Sequence, residues 1–315
     1  MFLGTLSQPA GNDWGVPSFA TWYAAETAHP RAVDGYLNTI LHHFAQGGYS
    51  ESTTFSFNLH NADTMPHPST CTAHPTLTLR IAAFESEPSD FSSSDTIPFV
   101  LVAAHAQPGP GPTGTQEERL QSASPALSLS ALLTPVIPDD AAVVTSAFPV
   151  HAAWTGHNRT AVLRQLYLVS ERPRRHYLLA DALPLDQLTA DGNVGLLDLR
   201  PGRVEREVRK LFAAFSGAAS VAKREGYGEC VVEAGAWGCG AFGGNVLVKG
   251  VCMAVAAGLA GVEVVLTLLE GREEVSALQM VLGRGLRVAE LWSSLRQWEA
   301  NPEFGLLHGR GLSSD

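Results

Sequence analysis

The chain has 315 residues, of which 45% are hydrophobic and 17% charged, so one large domain or two ordinary ones could form a sizeable core. There are 31 acidic residues against 21 basic ones, which gives a formal net charge of −10. An acidic chain is a poor general binder of duplex nucleic acid, because that affinity comes from neutralising phosphates. An anionic ligand would therefore have to be bound by local backbone N–H groups or by a few arginines.

Cysteine spacing and hydropathy exclude several other classes of protein. The cysteines are Cys71, Cys230, Cys239 and Cys252. Their spacing fits neither a zinc site nor a disulfide framework, so we expect reduced thiols in an intracellular protein. Residues 1–12 lack the features of a secretory signal. Residues 246–269 are apolar but contain Lys249 and Glu263, so no membrane span is expected.

The predicted elements alternate between helices and strands after an irregular lead-in over residues 1–18. Apolar periodicity predicts helices over 19–44 (broken near Pro30), from Gln116, around 204–215, and over 246–259, 273–282 and 288–298. Strands are predicted over 53–59, 77–84, 98–104, 141–147, 177–180, 231–232 and 262–269. Residues 61–75 and 85–95 have loop composition, and residues 156–175 have no clear pattern. The alternation predicts an α/β fold with a parallel or mixed sheet, in which residues 98–104 form a buried strand.

A loop rich in proline and glycine, within residues 103–118, joins that buried strand to a helix. The glycines that would let the backbone turn and approach a ligand closely are Gly109, Gly111 and Gly114. Gln116, Glu117 and Glu118 then open the helix, whose N-terminal N–H groups favour an anion. The segment from Thr115 to Glu118 also fits the capping box S/T-x-x-E. The glutamates are therefore interpreted either as a helix cap or as part of a site.

A second glycine-rich loop, residues 234–244, also joins a strand to a helix. The glycines that spell the dinucleotide pattern GxGxxG are Gly238, Gly240 and Gly243. The bulky Trp237 and Phe242, and the late position in the chain, disfavour a dehydrogenase and favour another kind of diphosphate-binding loop. Phe242 would either stack on a sugar or base, or fill a gap between helix and sheet. Because both loops follow strands, we expect them to meet at one edge of the sheet.

Other polar groups give weaker signals. His42 and His43 lie on a predicted helix without an HExxH motif, so we interpret them as surface or core histidines. No GxSxG motif supports a serine nucleophile. A mixed run of charges is interpreted as a solvated helix face, and its members are Arg203, Glu205, Arg206, Glu207, Arg209 and Lys210.

Together the two loops resemble those of the poly(ADP-ribose) glycohydrolases, macrodomain-type enzymes that degrade poly(ADP-ribose). Gln116-Glu117-Glu118 is similar to the family's QEE, and residues 235–244 are similar to its GxWGCGAFGG segment. The resemblance covers about residues 36–300. It implies a macrodomain-like three-layer α/β/α fold with a mixed central sheet and an N-terminal helical extension. The whole chain would be one domain, with an extension over about 1–60 and a core over about 75–300.

The resemblance also implies roles for particular residues. Glu118 would protonate the leaving ribose and later activate water, while Glu117 would position ribose hydroxyls. In the first loop the implied ligand-binding residues are His105, Gly109, Gly111, Gly114 and Gln116. Elsewhere they are Trp154, Gly235, Trp237, Gly238, Cys239, Gly240, Ala241, Phe242 and Gly243, with the second-loop backbone holding a diphosphate. Adjacent carboxylates near a diphosphate should raise one pKa, as an acid catalyst requires.

The first loop departs from the family pattern. Residues 108–112 read PGPGP where the family has GGG, and Ala103-Ala-His105 stands where the family has FAN. The family's asparagine contact to ribose would then either be missing or be replaced by His105. Residues 266–269 lack the family's adenine-stacking aromatic, so Trp154 would supply one face for adenine.

The implied reaction is hydrolysis of ribose–ribose O-glycosidic bonds in poly(ADP-ribose), which releases ADP-ribose and requires no metal or other cofactor. Two alternatives stay open. Proline removes N–H donors, so the altered loop could leave an ADP-ribose reader without activity. The enzyme could also be restricted to mono(ADP-ribosyl) groups. We expect a monomer in the nucleus or cytoplasm, acting in the DNA damage response, that binds poly(ADP-ribose) or ADP-ribose but neither membranes nor duplex nucleic acid.

Overall fold

The structure, a computed structural model, describes residues 29–82, 95–187, 196–270 and 273–301. Within these residues the helices are α1 (Pro30–Ala45), α2 (Gln116–Ala123), α3 (Ser130–Leu133), α4 (Arg203–Glu225), α5 (Val246–Ala260), α6 (Glu273–Gly283) and α7 (Val288–Ala300). The strands are β1 (Phe57–Asn61), β2 (Leu77–Ala82), β3 (Thr96–Ala104), β4 (Ala141–Thr145), β5 (Phe148–Pro149), β6 (Ala152–Thr155), β7 (Val162–Leu166), β8 (Arg174–Asp181), β9 (Glu229–Ala234) and β10 (Glu263–Leu269). The predicted lead-in over 1–18, the helical pattern before residue 29 and most of the predicted loop over 85–95 lie outside the described residues.

The strands form a mixed sheet in the order β1-β4-β8-β3-β9-β10-β2, with β5 added beside β8. Neighbours from β8 to β2 run parallel, whereas β1 pairs antiparallel with β4 and β4 with β8. Parallel strands need long crossover connections: α4 lies in the connection from β8 to β9, which are separated by β3, and α5 lies in the connection from β9 to its neighbour β10. Strands β6 and β7 form a separate antiparallel hairpin. The predicted mixed central sheet is confirmed.

Strand β3 lies at the centre of the sheet and divides the core into two sides. Because successive side chains of a strand point to opposite faces, one set packs beneath α4 and α5 and the other packs on the α2 side. The first set is Ile97, Phe99 and Leu101. The second set is Val100, Val102 and Ala104. Burial on both faces explains the unbroken apolar run and confirms the predicted buried strand.

Helices cover both faces of this sheet. Buried residues of α4, α5, α6 and α7 share one cluster with the first face of β3. On the other face, Leu120 of α2 and Leu127 join the second face of β3. Helix α1 lies against the β6–β7 hairpin, where Tyr36 packs on Trp154 with ring centroids 5.0 Å apart. The predicted three-layer α/β/α architecture with an N-terminal helical extension is confirmed.

Differences from the predicted elements include the start of β1 and the stretch over residues 156–175. Strand β1 starts at Phe57 instead of residue 53, because Phe55 turns into an aromatic cluster with Tyr49 and Phe148, at centroid distances of 4.8 and 4.9 Å. Residues 156–175, which had no assignment, form short 3₁₀ turns around β7. Their side chains are polar and show no apolar periodicity, so no element could be assigned to them from the sequence. Backbone hydrogen bonds hold these turns together.

No helix in the described part of the chain combines the length and the apolar character that crossing a bilayer requires.

The interpretation of the charged run on α4 as a solvated face is wrong for half of its members. Lys210 and Glu207 are buried, and Arg206 is nearly so. Lys210 Nζ lies 2.6 Å from Asp181 Oδ1 and Arg206 Nη2 lies 2.5 Å from Asp181 Oδ2. Asp181 ends β8, so the sheet itself carries a carboxylate into the core and draws these cations inward.

Arg209 behaves as predicted for a solvated face. Its side chain is 35% exposed, and its nearest approach to Asp140 is 3.8 Å. Helix α4 therefore carries a buried and an exposed ion pair at consecutive positions.

This arrangement predicts unequal effects of Lys210→Met and Arg209→Met on stability. Removing Lys210 leaves Asp181 buried with one partner fewer, which should lower the free energy of unfolding by about 3 kcal/mol. Removing Arg209 should change it by less than about 1 kcal/mol. Urea denaturation of both variants beside the wild type measures the difference. Equal losses for the two variants would contradict the buried network.

Candidate active site

The two glycine-rich loops meet at one edge of the sheet. The first follows β3 and the second follows β9, and these strands are parallel neighbours. Their carboxyl ends therefore lie side by side, which is where α/β sheets bind ligands. At Gly235 an added Cβ would stand 4.0 Å from Gln116 Nε2, so the loops are in contact. The expectation that they meet is confirmed.

Gln116 occupies the gap where β3 and β9 separate. The pairing of these strands ends at Val100, which leaves backbone groups of β3 without a strand partner on that side. The Gln116 side chain takes the place of the missing strand: Nε2 donates to Leu101 O at 3.3 Å and Oε1 accepts from Ala103 N at 2.9 Å. Its amide serves the sheet, which corrects the ligand-binding role implied for it.

Glu117 is buried beneath the first loop. Its carboxylate accepts hydrogen bonds from His105 N at 2.8 Å, Gly109 N at 3.1 Å and Gln121 Nε2 at 3.0 Å. Burial raises the pKa of Glu117 to about 8, although the N–H donors oppose the rise. Glu117 thus fixes the loop to the start of α2.

Glu118 forms the predicted capping box. Its carboxylate accepts from Thr113 N at 2.7 Å, Thr113 Oγ1 at 2.8 Å and Thr115 N at 3.2 Å, while Thr115 Oγ1 accepts from Glu118 N at 3.4 Å. Burial raises the pKa of Glu118, and the hydrogen bonds from Thr113 and Thr115 oppose this. The cap interpretation is therefore correct, and it places a carboxyl group that favours its proton at the helix start.

The glycines of the first loop make room for these glutamates. Gly109 donates to Glu117, and a Cβ at Gly111 would lie 2.1 Å from Glu118 Oε1. Gly114 adopts a φ of +75°, which L side chains rarely do. Four N–H groups of this loop donate to the two glutamates, and the close approach of its glycines to a ligand stays a prediction.

The second loop leaves its N–H groups available. Trp237 Nε1 donates to Ala180 O of β8 at 2.8 Å, and Asp186 N donates to the Phe242 carbonyl at 3.2 Å, so one end of the loop is fixed to β8 and the other to the segment after it. Between them, the N–H groups of Gly240, Ala241 and Phe242 donate to no other group in the described residues. Neighbouring free N–H groups at a loop tip form an anion-binding arrangement.

A cavity of about 400 Å³ lies between the two loops. The residues that line it are His29, Thr113, Thr115, His157, Asn158, Arg159 and Ala241. Thr113 and Thr115 are the groups that bind Glu118, so its carboxyl lies directly behind one wall. The turn after β6, with His157, Asn158 and Arg159, supplies a third wall. The sequence did not predict this wall, because only the preceding Trp154-Thr-Gly156 resembled a family motif.

Comparison with known families identifies the fold and the enzyme class. The family model for poly(ADP-ribose) glycohydrolase, macro domain fold, matches residues 103–275, which is more than half of the 315-residue chain and includes both loops. The chain belongs to the poly(ADP-ribose) glycohydrolase family. It is a glycosidase with a macrodomain fold, and the dehydrogenase alternative for GxGxxG is wrong.

Solved structures that resemble this glycohydrolase are distant. The Deinococcus radiodurans poly(ADP-ribose) glycohydrolase in complex with ADP-ribose has 14% identity and a TM-score of 0.46, over 73% of this chain and 95% of that one. The Thermomonospora curvata enzyme bound to the inhibitor ADP-HPD has 14% identity and a TM-score of 0.37, over 80% and 88%. An Oceanobacillus iheyensis macrodomain variant has 13% identity and a TM-score of 0.40, over 73% and 97%. No curated protein gave a significant match.

Some implied binding residues of the glycohydrolase are instead part of its core. Trp154 is 1% exposed and packs on Tyr36 and Gly35, so its ring offers no face to an adenine, and that expectation is corrected. Trp237 and Cys239 are buried, and the Cys239 thiol donates to Trp237 O at 3.4 Å. Phe242 is partly buried against the core, in line with the alternative that it fills a gap between helix and sheet.

The histidines of the glycohydrolase fall into two groups. His43 is a core histidine, as predicted, with Nδ1 3.0 Å from Nε2 of the buried His151. His105 lies half-buried at the end of β3, where its Nδ1 accepts from Gln107 N at 3.2 Å and Nε2 faces away from that bond. Across the described ranges, no cluster of three or more metal-ligating side chains occurs.

A buried cation supports the second loop from below. Lys249 Nζ lies 2.5 Å from Glu207 Oε2, 3.3 Å from Asp198 Oδ1 and 5.2 Å from the Trp237 ring centroid. Burial lowers the pKa of Lys249, but the carboxylates of Glu207 and Asp198 raise it overall. A Cβ at Gly244 would lie 2.7 Å from Lys249 Cε, so the loop rests directly on this side chain. Sequence reasoning noted the lysine in an apolar helix but missed its two carboxylate partners.

The raised pKa of Glu117 predicts a pH-dependent stability. Between about pH 4.5 and 8 the folded state retains a proton that the unfolded state has lost, so the free energy of unfolding falls as the pH rises. Glu117→Gln should remove this component, which amounts to at most about 1.4 kcal/mol per pH unit. Urea denaturation from pH 5 to 8 measures the slope.

A suitable control is Glu205→Gln, which makes the same change of charge at an exposed position on α4. Identical pH slopes for the wild type and Glu117→Gln would show that Glu117 is ionised throughout this range.

Proposed function

We propose that this glycohydrolase cleaves the ribose–ribose O-glycosidic bonds of poly(ADP-ribose) and releases ADP-ribose, with Glu118 as general acid and base. The observation that carries the proposal is the family match across a segment that contains both loops, together with their meeting beside one cavity. The first loop would supply the acid and the second loop the N–H donors that such a site needs.

The second loop would bind the diphosphate of ADP-ribose. Its N–H groups from Gly240 to Phe242 are free to donate to phosphate oxygens, and Gly240 and Ala241 are exposed. Because the loop is fixed by Trp237 and supported by Lys249, these donors are arranged before the ligand arrives. Preorganised donors lose less free energy on binding than mobile ones.

Glu118 would donate the proton that the leaving ribose oxygen needs. Glycoside cleavage passes through an oxocarbenium-like state, and the same carboxylate can then activate water. Burial raises the pKa of Glu118 in the direction that an acid catalyst requires. Its carboxyl binds Thr113 and Thr115 in the cavity wall, so the reaction requires at least one of these hydrogen bonds to be exchanged for one to the leaving oxygen.

Glu117 would act through the first loop. Its carboxylate already accepts three hydrogen bonds from protein N–H groups, so we assign it to positioning the loop and Glu118 rather than to direct contact with ribose hydroxyls. Adjacent residues of a helix point in different directions, which fits a division of roles between the two glutamates.

The decisive experiment is release of ADP-ribose from purified poly(ADP-ribose) by the wild type and by Glu118→Gln. Glutamine keeps the shape and removes the proton donor, so kcat should fall by about 10² to 10⁴-fold. A matched control is Glu290→Gln, which changes the capping glutamate of α7 and should leave kcat unchanged.

Other outcomes would contradict parts of the proposal. A fully active Glu118→Gln would place the acid elsewhere. If the wild type binds ADP-ribose but releases none from the polymer, the protein is a reader. Activity on mono(ADP-ribosyl) groups alone would change the substrate.

Thr113→Val should alter the pH dependence of catalysis. The Thr113 hydroxyl stabilises the ionised form of Glu118, so its loss should raise the Glu118 pKa further and move the alkaline limb of kcat/KM to higher pH. A pH–rate profile for each variant measures the shift. Thr134→Val, which removes a hydroxyl bonded to Ser130 O at the end of α3, should leave the limb in place. A shift to lower pH in Thr113→Val would contradict this contact.

A further inference from the structure

The third wall of the cavity, together with the adjacent His29, gathers basic side chains in an otherwise acidic protein. His29, His157 and Arg159 line the cavity, whereas the chain as a whole has a net charge of −10. Arg159 is exposed and forms no ion pair with any residue that the structure describes. Arg206 and Arg296, by contrast, are paired with carboxylates. The cavity therefore has one side where a cation is available to a ligand.

The turn that carries Arg159 is held by backbone hydrogen bonds. Asn158 adopts a φ of +50°, the only positive φ of a non-glycine residue in the described ranges. Its N–H donates to Gly114 O at 2.9 Å, and its carbonyl accepts from Ala161 N at 3.0 Å. At Gly156 an added Cβ would stand 2.1 Å from Thr160 O. Strained conformations of this kind persist where the surroundings enforce them, commonly at ligand sites.

This turn connects the two glycine loops. Through Asn158 it binds the first loop at Gly114, one residue before the cap of Glu118. On its other side, His157 Nε2 lies 3.9 Å from the position of a Cβ at Gly240, where the free N–H groups of the second loop begin. Arg159 thus lines the same cavity as Thr113 and Thr115, which bind Glu118, and as Ala241 of the second loop.

The charge on this wall belongs to Arg159 rather than to the neighbouring His29. Burial and the nearby positive charge of Arg159 both lower the pKa of His29, which favours the neutral imidazole. A guanidinium forms paired hydrogen bonds with a phosphate group and is always charged. A diphosphate has oxygens for both the free guanidinium and the row of free N–H groups, so it is the ligand that matches these donors.

We propose that Arg159 binds a phosphate group of the nucleoside diphosphate and that the turn from Gly156 to Ala161 is a specificity-determining wall of the site. This inference deepens the proposed function and rests on it for the identity of the substrate. The second loop contacts the diphosphate with neutral N–H donors, and Arg159 contributes the positive charge that the acidic protein lacks elsewhere at the cavity.

The experiment measures dissociation constants by titration calorimetry for ADP-ribose, inorganic pyrophosphate and adenosine. The proteins are the wild type, Arg159→Gln and the matched control Arg164→Gln, which removes the same charge from an exposed position on β7. We expect Arg159→Gln to weaken ADP-ribose and pyrophosphate about tenfold, and Arg164→Gln to stay within about twofold. Arg159→Lys should recover part of the loss, since a single ammonium replaces the paired contact.

Several results would overturn the inference. These are unchanged affinity for the phosphate ligands in Arg159→Gln, an equal loss of adenosine affinity, or no binding of ADP-ribose and pyrophosphate by the wild type. The test is separate from that of the proposed function. If Arg159→Gln loses affinity for phosphate ligands but the wild type does not cleave the polymer, the role of Arg159 is supported and the proposed hydrolysis is refuted. If the wild type cleaves the polymer and Arg159→Gln binds phosphate ligands normally, the hydrolysis is supported and the role of Arg159 is refuted.

Discussion

The separation of β3 from β9 beyond Val100 is the constraint on which the rest of the site depends. Parallel strands that part leave backbone donors and acceptors facing a gap, and burying such groups without partners is costly. The Gln116 amide satisfies two of them, on Leu101 and Ala103. With Gln116 held there, α2 must begin at this point, and the two glutamates that follow are brought under the first loop. The positions of Glu117 and Glu118 follow from the hydrogen bonding of the sheet.

The two loops are held in opposite electrostatic ways. In the first, the buried carboxyl oxygens of Glu117 and Glu118 accept hydrogen bonds from the loop N–H groups, so the backbone wraps these two side chains. In the second, a buried cation and an indole support the loop from beneath, and the N–H groups at its tip stay outward. The first loop therefore encloses two carboxyl groups, whereas the second leaves N–H donors at its tip. This difference is the basis of the separate roles proposed for the two loops.

Much of the fold could be predicted from the sequence, because apolar periodicity reports on burial directly. The β3 run and the α5 stripe are examples, and the two loops were recognisable because their glycines and aromatics stand in a specific order. The faces of charged helices were not predictable. Whether Glu207 and Lys210 point to water or to Asp181 depends on how α4 crosses the sheet, which local sequence does not specify. The wall around Arg159 was missed for a related reason: its turn is built from backbone hydrogen bonds and has no apolar pattern.

The packing of α1 limits which fragments of the chain can be expected to fold. Gly35 lets α1 approach so closely that a Cβ would lie 2.3 Å from the Trp154 ring, while the adjacent Tyr36 lies against the backbone of Gly114. One turn of α1 thus supports both β6, which precedes the turn that carries Arg159, and the first loop beside Glu118. A fragment trimmed to the family match, residues 103–275, would leave the Trp154 indole in water and both segments without their brace. Helix α1, which precedes the matched segment, is in this sense part of the enzyme's interior, and truncations that remove it would disturb both segments beside the candidate active site.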